Sequence, residues 1–110
     1  MLTKMTLKHE TGDTIYQRGE ELYGNGSIRE FHLESNELYD EARALVQGSG
    51  NLVYHVKLTY SWNNDFIAEY ICQCAAYRNY DGMCKHCAAV ALKYIDSCKD
   101  RKVTERLQPR

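Results

Sequence analysis

Three observations predict an α+β domain, a small antiparallel sheet followed by a C-terminal helix. Leu52, Tyr54, Val56, Leu58 and Tyr60 alternate with Val53, His55, Lys57 and Thr59, the period-two pattern of a half-buried strand. Ser61–Asp65, with the run Asn63-Asn64-Asp65, is a hairpin turn that returns the chain into a second apolar strand, Phe66–Cys74. The stretch His86–Ile95 then carries the apolar repeat of a helix.

The remaining elements follow in chain order. Met1–Gly12 has no convincing period and is expected to be a loose leader. Asp13 or Thr14 can cap a helix running through Tyr23, which Gly19 weakens by about 1 kcal/mol relative to alanine and the triplet Gly24-Asn25-Gly26 ends. Ile28–Leu33 reads as a strand and Glu34-Ser35-Asn36-Glu37 as a turn. Leu38–Gln47 fits two patterns. Leu38, Ala42, Leu45 and Val46 suit a helix capped by Asn36 and stopped by Gly48, whereas a strand puts Ala42, Ala44 and Val46 on one face. In the strand 66–74, Phe66 and Tyr70 share one face and Ile67 and Ile71 the other, so it is expected to lie centrally in its sheet. On the last helix Ala88, Val90, Ala91, Leu92, Tyr94 and Ile95 form the buried face, with Lys93 and Asp96 toward water. Lys99–Arg110 is charged and is expected to fray. The organisation is therefore a leader over 1–12, one domain over 13–98, and a charged tail or linker over 99–110.

All five cysteines fall between Cys72 and Cys98, too crowded and too odd in number for a secreted disulfide framework. Four soft donors stand in the order Cys72, Cys74, Cys84, His86, a spacing of C-x-C-x9-C-x-H. Side chains two apart on a strand point to the same face, so Cys72 and Cys74 can share one ion. Cys84 and His86 come after the turn signal Asp81-Gly82-Met83, at a helix start whose positive end favours a thiolate. The donor set suits tetrahedral Zn2+. Lys85 or Arg78 is placed to offset the one negative charge that three thiolates leave on the ion.

This pattern resembles the SWIM zinc finger, whose signature is C-x-C, a variable gap and C-x-H on a strand-strand-helix unit. The strand before C-x-C and the apolar helix after C-x-H match as well. More loosely, Arg18-Gly19-Glu20, Tyr23, Gly26 and the stretch Ala44–Ser49 resemble the region preceding this finger in bacterial Swi/Snf-class helicase-like ATPases. The resemblance covers residues 13–97. It departs at Ala75, where many members have proline, and at Cys87, directly after the histidine. It implies a strand at 38–47, hence a sheet of about four strands with zinc pinning the last strand to the C-terminal helix. It also implies a non-catalytic module that binds DNA or a protein partner, often beside an ATPase motor.

At 110 residues and 44% apolar content, the chain supports a single small core in which a structural metal contributes to folding. No run of about 18 apolar residues and no basic-then-apolar leader is present, so neither a membrane span nor a secretory signal is indicated and an intracellular setting is expected. Residues 1–71 carry 6 Lys/Arg against 11 Asp/Glu, and residues 72–110 carry 8 against 4. The basic finger half can meet phosphates, with Tyr77 and Tyr80 available to stack on bases, while the acidic half opposes tight non-specific binding.

Other residues have plainer roles. His55 sits on a polar strand face and His9 and His32 lack ligand spacing. Cys98 lies too far along its helix to reach the ion, and is expected to be a surface or half-buried thiol. Cys87, three residues after Cys84, is either a small buried apolar residue or a replacement for His86 in an all-thiolate site. Trp62 is expected to pack over the hairpin. Cys84-Lys85-His86-Cys87 is also a C-x-x-C, the arrangement of disulfide oxidoreductases, but that reading leaves Cys72 and Cys74 unexplained and the chain's single proline, Pro109, is far away. Hydrolase and phosphate-loop motifs are absent, so no small-molecule substrate is expected.

Overall fold

The structure is a computed structural model that describes residues 1–74 and 82–105. Two helices, α1 (Lys4–Thr11) and α2 (Asp13–Gly24), precede four strands, β1 (Ile28–Ser35), β2 (Tyr39–Gln47), β3 (Val53–Ser61) and β4 (Phe66–Cys72), and the long helix α3 (Lys85–Glu105) follows. The strands form one antiparallel sheet in the order β1-β2-β3-β4. Helix α3 lies over one face of the sheet, with α2 packed along it. The architecture is the expected α+β arrangement, including the helix expected from residue 13 through Tyr23, with one further N-terminal helix, α1, added. Among the described residues, no helix is long and apolar enough to cross a membrane.

Parity builds the core. Asp40, Ala42, Ala44 and Val46 of β2 are buried, as are Val56, Leu58 and Tyr60 of β3, so even-numbered residues of both strands face α3. The register confirms the alignment, with Ala42 opposite Leu58 and Ala44 opposite Val56. The two-way reading of residues 38–47 thus resolves as a strand, because β1 and β3 pair with it on both sides. Helix α3 is buried nearly all round from Cys87 to Leu92, and Tyr94, Ile95 and Cys98 extend that surface. Cys98 is accordingly inside rather than at the surface. Asp96, expected to face water, accepts a hydrogen bond from the Tyr23 hydroxyl at 2.6 Å and pairs with Lys4 at 3.8 Å, tying α2 and α1 to α3.

The close approach of α2 and α3 explains Gly19. A methyl group at this position would lie 2.7 Å from Ala88 Cβ and 3.1 Å from the α3 backbone. The helix therefore gives up propensity at Gly19 to bring its axis against Ala88 and Ala89.

Further expectations are corrected. Residues 1–12 are no loose leader: Thr3 caps α1 by accepting the Thr6 amide at 3.2 Å, and Leu2 and Leu7 are buried in the core. Helix α2 starts from Gly12, without a side-chain cap from Asp13 or Thr14. Strand β4 is an edge strand, not a central one, and Phe66 and Ile71 are exposed on it. Its two-faced apolar pattern has another cause. Thr59 pairs with Glu69 but Tyr60 pairs with Ile67, leaving Ala68 as a bulge. One extra residue reverses side-chain parity, so Ile67 shares the inner face with Tyr70 and Cys72. At the far end of the chain, α3 runs on through Glu105 where fraying was expected, and residues 106–110 lie outside the described residues.

A candidate metal centre

The bulge in β4 turns Cys72 inward at the end of the strand. Beyond it the burial alternation continues, with Gln73 exposed and Cys74 buried, although the strand itself stops at Cys72 and not at Cys74. Gln73 holds this segment against the neighbouring strand, its Oε1 accepting the His55 amide at 3.2 Å. His55 is otherwise exposed, as its polar face predicts.

Cys84 supplies the first residue of the other half of the site. Its carbonyl accepts the Ala88 amide at 3.0 Å, so α3 springs directly from it, and the sulfur receives hydrogen bonds from this first turn. Two residues on, His86 turns its Nδ1 to 3.8 Å from the Cys84 Sγ. For an ion with bonds of about 2.3 Å to sulfur and 2.0 Å to nitrogen, the S–N edge of a tetrahedron is about 3.5 Å. The donor atoms of Cys72, Cys74, Cys84 and His86 all lie within 4.8 Å of one another, and all four side chains are buried. The four residues singled out from spacing are thus brought together. They come from the end of β4 and the start of α3, which a metal ion would link. The cluster fits a metal of zinc's chemistry, since three thiols and an imidazole in a dry site have no better partner than a soft or borderline cation.

Electrostatics within the cluster favour one anion from the outset. Hydrogen bonds from Cys72 and Cys87 hold the Cys84 thiol well below its usual range, against the opposing effect of burial. The same contact with Cys84 pushes Cys72 up to about 12, and contacts with Cys72 and Cys84, together with burial, push Cys87 upward. A divalent cation entering beside Cys84 would expel the remaining protons from its thiol ligands.

Some of what shapes the site carries little sequence signal. Tyr54 packs its ring on the His86 imidazole, with centroids 4.9 Å apart and planes at 53°. Gly48, read only as a terminator, makes room for it: a Cβ there would lie 2.4 Å from Tyr54 Cε2. Trp62 packs on Tyr60 and donates through Nε1 to Asp40 at 3.2 Å, as its place on the hairpin suggests. The positions Ala75, Tyr77, Arg78 and Tyr80 lie outside the described residues.

The chain matches no protein-family model, no curated protein and no solved structure. Likeness to the SWIM finger therefore rests on the four-donor spacing and its strand-to-helix setting.

Proposed function

We propose that the chain is a zinc-binding interaction module of the SWIM type, non-catalytic, which binds DNA as part of a larger helicase-like ATPase. The observation that carries the zinc reading is the buried Cys72, Cys74, Cys84, His86 cluster linking β4 to α3. Four protein donors close a tetrahedral shell and leave no position for substrate, the pattern of a structural rather than a hydrolytic site. Complete burial of Cys84 and Cys87 likewise counts against disulfide exchange, which needs an accessible thiolate.

DNA binding is supported by charge: residues 72–110 carry twice as many basic as acidic residues. Titration of the zinc-loaded protein against a labelled duplex and a labelled single strand, by fluorescence anisotropy, is expected to show binding at low salt that weakens steeply as salt rises. Absence of binding at low salt would leave a protein partner as the ligand. One observation favours that second reading. The solvent face of the sheet carries a ladder of paired charges, Arg43–Glu41 at 2.7 Å, Lys57–Glu41 at 3.8 Å and Lys57–Glu69 at 2.9 Å, which offers no uniform field to a phosphate backbone.

A further inference from the structure

Cys87 places a fifth donor beside a set of four. It is fully buried, and its Sγ lies 3.7 Å from the Cys84 Sγ. Two thiolates on one tetrahedral zinc stand about 3.8 Å apart. Cys87 therefore already keeps ligand spacing from Cys84, although it is not one of the four donors that share mutual reach. Residues three apart on a helix lie on the same face, so a modest side-chain adjustment in the first turn of α3 would bring its sulfur onto an ion held by Cys84.

His86 is its direct competitor, and the structure contains a device that favours His86. The Tyr54 ring packs on the imidazole, and Tyr54 can lie where it does because Gly48 has no side chain. Groups that touch a ligating histidine without touching the metal help to set its ring orientation.

We infer that Cys87 is a reserve metal ligand, able to take the fourth coordination position when the His86 imidazole is withdrawn, and that Tyr54 acts as a positioning residue that keeps this position for His86. The inference rests on the metal-binding reading above. It makes the centre convertible between three thiolates with one imidazole and four thiolates, the second form favouring softer, more thiophilic ions.

Cobalt(II) alone is the probe, because its sulfur-to-metal charge-transfer absorption grows with the number of bound thiolates. Wild-type protein is expected to bind one cobalt with the absorption of three thiolates. His86→Ala should still fold with one cobalt and absorb about one third more per ion, three thiolates having become four. Cys87→Ala should match wild type, and the double variant His86→Ala/Cys87→Ala should lose the gain. Tyr54→Ala should move part of the way toward the His86→Ala spectrum. A His86→Ala protein that fails to fold with cobalt, or that binds it without added intensity, overturns the reserve ligand. So does a gain that persists in the double variant. Loss of about one quarter of the intensity in Cys87→Ala, four thiolates having become three, would make Cys87 the resident ligand and overturn the assignment to His86. A Tyr54→Ala spectrum identical to wild type removes Tyr54 from the account. Wild-type protein that binds no cobalt overturns the metal-binding reading itself, a result distinct from all of these.

Discussion

Chelation of the metal, or replacement of Cys84 by serine, is expected to cost the domain about 4 kcal/mol or more of stability at neutral pH. Structural zinc contributes about 10–16 kcal/mol of apparent folding free energy in isolated finger peptides. A smaller share is at stake here, because Leu58, Val90, Tyr94 and Ile95 also hold α3 to the sheet through apolar burial. What the metal adds is the junction. Without it, the buried donors at the end of β4 and the start of α3 lose the ion that links them. For a domain of this size the loss corresponds to a melting temperature lower by on the order of 20 °C. Near-UV circular dichroism should also fall as the aromatic packing around Tyr54, Tyr60 and Tyr94 loosens. Added zinc should restore the wild-type protein but not Cys84→Ser. An unchanged melt and near-UV spectrum after verified metal removal would show that the cluster is not a folding element.

Asp40→Ala is expected to destabilise by roughly 3 kcal/mol, the largest effect away from the metal centre. Asp40 is only 1% exposed, an uncommon state for a carboxylate, and two aromatic donors converge on it. Tyr94 of α3 donates its hydroxyl to Oδ2 at 2.6 Å, and Trp62 after β3 donates Nε1 to Oδ1 at 3.2 Å. Burial first, and then this bond to Asp40, drive the Tyr94 pKa far upward, so the hydroxyl stays a donor throughout the physiological range. Removing the carboxylate takes the 2.6 Å acceptor from the buried Tyr94 hydroxyl, leaving Cys98 beside it, and takes one acceptor from the indole, each lost bond of a buried donor costing about 1–3 kcal/mol according to its burial. Urea unfolding followed by Trp62 fluorescence would measure the change. A loss below about 1 kcal/mol would mean that water or neighbouring groups replace Asp40 at no net cost.

The metal ligands and the helix after them were legible because their signals are local. Cys72, Cys74, Cys84 and His86 declare a donor set by type and spacing, and Val90–Ile95 declares a helix by period. Strand β3 was equally plain, since one of its faces is covered and the other is wet. The failures belong to long-range effects. Leu2 and Leu7 are too few to print a period, so α1 becomes visible only once α3 offers a surface to cover them. Edge position was hidden in β4 because the Ala68 bulge gives apolar residues on both parities, the usual mark of a central strand. Asp40 shares parity with Ala42, Ala44 and Val46, yet nothing local announces that Tyr94, 54 positions on, will meet it. The same holds for Tyr54, whose role depends on a glycine six residues earlier and on a histidine in another element.

Metal content tests the central claim most directly. Protein purified without added zinc should be analysed by elemental mass spectrometry, with accessible thiols counted before and after chelation. The account predicts one zinc ion per chain, with Cys72, Cys74 and Cys84 protected until the chelator is added. Protein without metal, in which Cys84 and Cys87 react freely or oxidise reversibly, would contradict it and turn the C-x-x-C at the head of α3 into a redox pair.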